Sequence, residues 1–374
     1  MQALPITWVD NDATLGECCD ALAQCKVLAV DTEFRRETTF HAIPALVQLS
    51  DGEYVWLIDP LALDASAALQ RLFGHEGPLK LIHACSEDLE VLQQWVGVLP
   101  EPLIDTQHAQ ALCSDNASMG YQRLVAERLD IELEKDATRS DWLARPLSER
   151  QRRYAALDVL YLPRIWEQQR QQLEALGRLE WLQSDCQQLI DAAREQDDYA
   201  DYFRRNRNAW KLSPVALAAY QRLCQWREQQ ARARDIPRNW LAADRVLLAI
   251  AEKMPRHKAE LAAVDELRPA VIKRDGATLL ALVEAARHDT ETLPGLLSPV
   301  TPRYRNLLKQ LKSAVQARAD ALGVSAGVLA SRRDIERFIQ ADSDGTVAQT
   351  TLGGWRAELL DAELRQVIEQ EGLS

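Results

Sequence analysis

Four acidic residues and one tyrosine occur in three separate segments of this 374-residue chain, and each segment directs its side chains to a definite face. The first segment, VLAVDTEF, begins with a short apolar run bounded by polar residues, which predicts a buried strand. Because residues two apart on a strand point to the same face, Asp31 and Glu33 project together. This segment therefore predicts a pair of carboxylates on one face of a strand.

The other two segments place acidic residues on helices. Asp88, in LIHACSEDLEVL, falls in the first turn of a helix predicted to begin near Ser86, and Tyr154 and Asp158 are four apart in the helical stretch RYAALDVLYL. Taken singly, these residues also fit a solvated strand end, a charge favoured by the helix dipole and a core tyrosine. Carboxylates that converge repel one another unless a cation lies between them, and oxygen ligands suit Mg²⁺ or Mn²⁺. The joint pattern therefore predicts a divalent-metal site.

The order and form of the three segments resemble the Exo I, II and III motifs of the DEDD superfamily of 3′→5′ exonucleases. The Tyr-x-x-x-Asp spacing of the third is that of the DEDDy branch, and the stretch SDWLARPLSERQRRYAALDVLYLPRIW resembles the ribonuclease D family. The resemblance covers about residues 1–200 and implies a ribonuclease H-like α/β domain, a mixed sheet flanked by helices. All the expected metal-ligand positions hold acidic residues.

The resemblance also implies a mechanism, namely hydrolysis of single-stranded 3′ ends of RNA with two divalent cations, Mg²⁺ or Mn²⁺. Asp31, Glu33 and Asp158 would hold one ion, Asp31 would bridge to the second, and Asp88 would support the second largely through water. Tyr154 would orient the attacking water. The implied substrates are tRNA precursors with 3′ extensions, the products are nucleoside 5′-monophosphates, and the implied oligomeric state is a monomer.

The rest of the chain predicts a change from α/β to all-α structure. Strands and helices alternate over residues 1–165, and Asp105 is expected to cap a helix, whereas the pattern is wholly helical from about residue 166. We expect an exonuclease domain at 1–200. The stretch LSPVALAAYQRLCQWREQQARARDIPRNW, with Trp226 and Arg227 and with Pro237 ending its first helix, resembles the HRDC domain, a helical nucleic-acid-binding module. An HRDC domain is therefore expected at 210–290 and a diverged HRDC-like domain at 303–374. A generic helical bundle is the alternative for the last. Prolines at 294, 299 and 302 indicate a linker.

The net charge of −12 conceals a strong asymmetry between parts of the chain. Residues 1–203 sum to −18, whereas residues 204–258 sum to +9. A basic segment beside an acidic domain favours contact with phosphates, and its interleaved aromatic residues can stack on bases or fill the core. The predicted RNA contacts are Phe34, His83, Arg204, Arg205, Arg207, Lys211, Arg232, Arg234 and Arg238. For Phe34 and His83, core packing and a hydrogen-bonded structural role are the alternatives.

Two other readings of the function stay open at this point, and location is inferred by default. One is a DNA 3′→5′ exonuclease, because no residue can be assigned to recognition of the 2′-hydroxyl. The other is a non-catalytic nucleic-acid-binding scaffold. The N-terminus does not have the pattern of a secretory signal, and no uncharged apolar stretch approaches the ~18 residues that span a bilayer, so no membrane association and a cytoplasmic location are expected.

Overall fold

The computed structural model describes residues 4–133, 140–195, 199–288 and 295–372. Its N-terminal part is built on a six-stranded mixed sheet with the strand order β1-β4-β3-β2-β5-β6. The β2–β3–β4 strands are antiparallel, and the β1·β4, β2·β5 and β5·β6 pairs are parallel. The strands are β1 (Ile6–Val9), β2 (Val27–Arg35), β3 (Ile43–Ser50), β4 (Val55–Ile58), β5 (Leu79–Ile82) and β6 (Leu103–Asp105).

Eight helices accompany the sheet within the described residues. They are α1 (Asp12–Leu22), α2 (Ser66–Phe73), α3 (Ser86–Trp95), α4 (Thr106–Cys113), α5 (Tyr121–Leu129), α6 (Glu149–Leu160), α7 (Leu162–Leu176) and α8 (Leu179–Arg194). α1, α2 and α3 pack on one face of the sheet, whereas α4, α6 and α7 cover the other. The predicted mixed α/β domain is thereby confirmed.

The C-terminal part is helical, as predicted. Short 3₁₀ turns at Tyr202–Arg205 and Ala209–Lys211 lead into two groups of helices. The first group is α9 (Pro214–Ala233), α10 (Arg238–Leu241), α11 (Asp244–Lys253), α12 (Lys258–Ala262) and α13 (Pro269–Arg287). The second is α14 (Pro302–Leu322), α15 (Ala326–Leu329), α16 (Arg332–Asp344) and α17 (Gly354–Gly372). Of the linker prolines, Pro299 lies in a non-helical stretch, Pro302 begins α14, and Pro294 lies outside the described residues.

Apolar burial joins the second helical group to the nuclease part. One continuous core contains side chains of the sheet, of α6–α8 and of α14–α17, while α9–α13 enclose a separate core. That separate core contains one residue from far away in the sequence, Phe40, which lies between β2 and β3. No helix within the described residues is both long and apolar enough to cross a lipid bilayer.

Candidate active site

The paired carboxylates lie on the central strand β2, as the sequence predicts. Asp31 and Glu33 share a sheet face with buried Ala29, which belongs to the core covered by α6. The ladder with β3 places Gln48 directly opposite Asp31, and its amide Nε2 lies 3.5 Å from Asp31 Oδ2. The register then shifts between Glu33 and Phe34, a local irregularity after which pairing with β3 resumes at Phe34. The two carboxylates therefore project toward α6 from the part of the strand just before this shift.

Helix α6 delivers Tyr154 and Asp158 to the same place because both of its ends are fixed. Ser148 and Gln151 form a capping box at the first turn. Near the other end, the Tyr121 hydroxyl donates a 2.7 Å hydrogen bond to the carbonyl oxygen of Leu157. These contacts fix the position of α6 along its axis relative to the sheet, and hence the position of Asp158.

The segment that precedes α6 is tied to the sheet by Arg145. Its guanidinium forms a two-pronged ion pair with Asp59, with both N···O distances 2.7 Å, and donates to the carbonyl oxygen of Ala45 at 2.6 Å. Bidentate arginine–carboxylate pairs fix orientation as well as distance. The entry of α6 is therefore held against β3 and the end of β4.

Three of the predicted carboxylates converge. Asp31, Glu33 and Asp158 each offer an oxygen, and these oxygens lie within 4.8 Å of one another. Asp88 is not in that group; it is buried beside it, and its Oδ1 accepts a 2.5 Å hydrogen bond from Thr32 Oγ1, between the paired acids. Tyr154 lies one turn before Asp158 on α6, and its hydroxyl interacts with the Asp158 carboxylate. The structure thus brings together all five residues, three of them in direct proximity.

Burial raises the pKa of every carboxyl in this group, and in three of the four the charge of a neighbouring carboxylate raises the pKa further. Burial, with the neighbouring charge of Asp31, raises the pKa of Glu33 to about 9. Burial and the charge of Asp158 raise the pKa of Asp31, and burial and the charge of Asp31 raise that of Asp88. Burial also raises the pKa of Asp158, although the Tyr154 hydroxyl lowers it. Burial and the charge of Asp158 also raise the pKa of the Tyr154 hydroxyl. Without a bound cation, these carboxyl groups therefore stay protonated to higher pH than ordinary aspartate and glutamate side chains.

The donor set of this cluster fits a hard divalent cation. It consists of carboxylate oxygens, which Mg²⁺ and Mn²⁺ prefer over nitrogen and sulfur ligands. The neighbouring Gln48 is fully buried, and its Oε1 has no hydrogen-bond partner. A buried acceptor without a donor is costly, and a metal-bound water is a suitable donor beside Asp31. The residues present therefore fit a metal site.

The helix that bears Asp88 is positioned by Asp105 at the end of β6. The carboxylate of Asp105 accepts hydrogen bonds from the N–H groups of Ala84 and Cys85, at 3.1 and 2.9 Å, just before α3 begins at Ser86. Ala84 has a positive φ of 63°, which is unfavourable for a residue with a Cβ. Asp105 also caps α4 through the N–H groups of Gln107 and His108, so the predicted cap is confirmed and also has a second role.

Two predicted nucleic-acid contacts lie near this cluster. Phe34 is partly buried at the register shift, with the Arg36 guanidinium 5.9 Å from its ring centre. His83 has both ring nitrogens engaged, Nδ1 with Thr106 Oγ1 at 2.9 Å and Nε2 with the Met119 carbonyl oxygen at 3.0 Å. Burial lowers its pKa. The His83 geometry favours the structural alternative over contact with a phosphate.

The predicted basic residues divide into two sets. Those at 204, 205, 207 and 211 are exposed. Arg205 lies 3.7 Å from the centre of the Tyr202 ring, and Lys211 lies 5.8 Å from the centre of the Trp210 ring. Arg204 forms an ion pair with Asp201 at 2.9 Å. The other three face protein groups. Arg234 forms a two-pronged pair with Asp275 at 2.7 and 3.0 Å, Arg238 binds buried Glu228 at 2.7 and 2.8 Å, and Arg232 lies against aromatic rings.

Several contributors to this arrangement are not identified by the sequence reasoning. Gln48 is a lone amide in the otherwise apolar run ALVQL, a pattern that signals a specific partner for a buried polar group. Tyr121 and Phe40 give no such signal, because their roles depend on contacts 36 and 195 residues away in the sequence. Tertiary packing alone identifies them.

Comparisons with known proteins agree on one family. Residues 6–174 match the model of a 3′-5′ exonuclease, residues 216–283 that of the HRDC domain, and residues 302–364 that of the ribonuclease D C-terminal HRDC domain. Ribonuclease D of Pseudomonas paraeruginosa is 38% identical over 97% of this chain and 98% of its own length. The Escherichia coli enzyme is 36% identical, with the same coverage. The crystal structure of Escherichia coli RNase D, an exoribonuclease involved in structured RNA processing, superposes with a TM-score of 0.84 at 35% identity, over 98% of this chain and 99% of that one.

Proposed function

Because this chain belongs to the ribonuclease D family and is a 3′→5′ exoribonuclease, we propose that it trims short 3′ extensions from tRNA precursors and releases nucleoside 5′-monophosphates. It acts in the cytoplasm as a monomer. Its parts are an exonuclease domain at residues 1–200 and HRDC domains at 210–290 and 303–374. The role of the Escherichia coli relative in structured RNA processing supports this choice of substrate class.

The observation that supports the chemistry is the convergence of Asp31, Glu33 and Asp158 within 4.8 Å. These three residues would hold one divalent cation, and Asp31 and Asp88 would contribute to holding a second. When bound, the two ions supply a water of lowered pKa and positive charge at the scissile phosphate. The chain's own contribution is to keep the carboxylates fixed on β2, α3 and α6, so that little reorganisation is needed on binding.

Tyr154 orients the attacking water by a hydrogen bond. Its pKa is raised by burial and by the charge of Asp158, so the hydroxyl stays protonated at neutral pH and serves as a donor or an uncharged acceptor. A general base would need a pKa near the working pH, which this environment opposes. Its interaction with Asp158 places the hydroxyl beside the carboxylate cluster.

The exposed cations at the start of the first HRDC region provide the RNA contacts. Arg204, Arg205, Arg207 and Lys211 lie on two consecutive 3₁₀ turns and the residues between them, outside the acidic nuclease part. Their charge attracts the phosphate backbone, and Tyr202, which is partly exposed beneath Arg205, offers a stacking face. Binding through this surface depends on salt but not on sequence.

Degradation of 3′-tailed RNA and of the matching DNA, with Mg²⁺ or Mn²⁺, tests the proposal. We expect mononucleotides to be released from RNA one at a time, faster than from DNA, and only when metal is present. Asp158→Asn should lower the rate about a thousand-fold, because several kcal/mol of charge stabilisation amounts to about three powers of ten. Unchanged activity in that variant, or full activity after exhaustive chelation, would refute the site assignment.

A further inference from the structure

The loop between β2 and β3 leaves the nuclease domain and enters the first HRDC domain. Phe40, in this loop, is 5% exposed, and its neighbours belong to the apolar core of α9–α13 rather than to the core of its own domain. A phenylalanine side chain buries enough apolar surface to stabilise such a contact by itself. The contact therefore links the two domains through one inserted aromatic residue.

The receptor for Phe40 is made by the turn between α9 and α10. Asp235 Oδ1 accepts hydrogen bonds from the backbone N–H groups of Phe40 and His41, at 3.0 and 2.9 Å. Asp235 itself has a positive φ of 49°, a conformation that aspartate tolerates better than most residues. Two adjacent loop amides are thus held by one carboxylate, which fixes the direction of the loop as well as its depth.

Two guanidinium groups complete the receptor. Arg232 and Arg238 lie 4.6 and 4.7 Å from the centre of the Phe40 ring, within the range of cation–π attraction. Arg238 is anchored by fully buried Glu228, and Arg232 also lies 4.6 Å from the Tyr199 ring. Both cations are therefore engaged by protein groups, unlike the exposed Arg207.

The other end of the loop is tied to the helix that bears Asp88. Arg36, one residue after β2, forms a 2.8 Å ion pair with Glu90 on α3, the helix that bears Asp88. The register shift beside Glu33 lies at the same end of β2. One short loop thus makes contact with the turn at Asp235 through Phe40 and with α3 through Arg36.

We propose that Phe40 is an interdomain latch, and that Arg232, Asp235 and Arg238 are its receptor rather than ligands of RNA. The latch holds the first HRDC domain at a fixed place beside the nuclease site. This consequence rests on the proposed function: an RNA long enough to contact the exposed cations at 204, 205, 207 and 211 binds with its 3′ end beside the carboxylate cluster. A dinucleotide is too short to contact those cations, so the latch does not increase its affinity.

Hydrogen-exchange mass spectrometry of the peptide that spans residues 36–42 measures the protection of the loop amides that the latch holds. In the wild-type chain the Phe40 and His41 amides should exchange slowly. Exchange should become at least tenfold faster in Phe40→Ala, Arg232→Ala and Asp235→Ala. In Arg207→Ala, the control variant, the exchange rate should equal that of the wild type. The conservative Phe40→Leu should show an intermediate rate, because it keeps the apolar burial and loses the cation–π contacts.

Kinetics separates the latch from RNA binding. We expect the receptor variants to raise KM for a 20-nucleotide RNA about tenfold and to leave kcat/KM for a dinucleotide within twofold. Arg207→Ala should also raise KM for the long RNA, but with unchanged exchange of the loop amides. Unaltered exchange in Asp235→Ala and Phe40→Ala would overturn the latch, as would a long-RNA defect in Arg232→Ala that Phe40→Ala does not share. If the wild type degraded no RNA, the proposed function would fail, while the exchange rates would still decide the latch.

Discussion

The carboxylate cluster opposes folding when no cation is bound. Glu33, Asp31 and Asp158 share one small volume, and their partial burial weakens the screening of their charges by water. Replacing any one of them by its amide removes a charge without changing the shape. We therefore expect amide variants to lose activity while they gain stability in the absence of metal.

The pH dependence of stability tests this electrostatic description. Glu33 has a folded-state pKa of about 9, above its ordinary value of 4.5, so between those pH values the unfolded chain binds fewer protons at this position than the folded one. Its contribution to the free energy of unfolding must therefore fall as pH rises from about 5 to about 9. Urea denaturation in chelator, with Glu33→Gln as the reference, isolates this contribution from other titrating groups.

Glu33→Gln should become progressively more stable than the wild type as pH rises across that window. A difference between the two proteins that stayed constant or shrank from pH 5 to pH 9 would show that Glu33 is ionised throughout. Saturating Mg²⁺ should reduce the difference, because a bound cation favours the ionised carboxylates that only the wild type has in full.

At the level of single residues, the sequence was sufficient for the acids and insufficient for their partners. Alternation on a strand and i,i+4 spacing on a helix are local rules, and they place Asp31 with Glu33 and Tyr154 with Asp158. The pairing of Gln48 with Asp31 depends on the register between β2 and β3, which local pattern does not determine. Whether these residues act in catalysis as proposed stays a prediction.

Secondary-structure elements position the cluster through a few buried polar contacts, of which Asp105 is the most demanding. It is 2% exposed and accepts four backbone N–H groups, two before α3 and two at the start of α4. Asp105→Ala leaves those donors without partners, at about 1–3 kcal/mol for each buried group that water does not reach. We expect a loss of at least about 3 kcal/mol in urea denaturation and weaker Mg²⁺ binding in calorimetry, since α3 carries Asp88.

Asp64→Ala is a matched control for this change. Asp64 also accepts the N–H of a residue at a helix start, Ser66, but it is exposed. Its loss should cost about 1 kcal/mol or less and leave Mg²⁺ binding unchanged. Equal effects of the two substitutions would show that Asp105 does not position α3.

Elements with a clear apolar run bounded by turn residues were predictable, whereas the first strand, β1, was not. The strands around Asp31, Val47 and Leu57 and the start of α3 at Ser86 follow from apolar runs and turn residues. β1 has only four residues and pairs with β4 in parallel, 49 positions away. Such a strand is stabilised by its neighbour rather than by its own sequence, so local reasoning does not find it.

On the scale of the whole molecule, the second HRDC domain is built onto the nuclease part. The Trp181 and Trp355 rings stack with centroids 4.3 Å apart and planes 1° from parallel. Asp185, 5% exposed on α8, is bound by the Arg356 guanidinium at 2.6 and 2.8 Å and by the Trp355 indole N–H at 3.0 Å. Removal of α14–α17 would expose this surface of the nuclease part to water.

Arg356→Ala should destabilise the chain strongly. It leaves the buried Asp185 carboxylate without its cation, and breaking a buried pair in this way costs about 3–5 kcal/mol. Arg318→Ala is the matched control, because Arg318 pairs with Glu363 at 3.4 Å on the exposed surface between α14 and α17. That exposed pair contributes about 1 kcal/mol or less. Thermal denaturation that failed to distinguish the two variants would contradict the proposed importance of this interface.

The composition predicted that acidic and basic residues lie in different parts of the chain, but it did not predict how the domains contact one another. The totals of −18 and +9 point to an acidic nuclease part and a basic segment after it. They do not reveal that three of the seven arginine and lysine residues predicted to bind RNA face protein groups instead. That division depends on where Phe40, Glu228 and Asp275 lie in the folded chain.

Anomalous diffraction from crystals soaked in Mn²⁺ tests the metal site most directly. We expect Mn²⁺ at bonding distance from oxygens of Asp31, Glu33 and Asp158, a second peak that shares Asp31, and the loss of the first peak in Asp158→Asn crystals. Wild-type crystals of an active preparation that bound Mn²⁺ only at other places, or bound none at saturating concentration, would contradict the proposal that these carboxylates hold the catalytic ions.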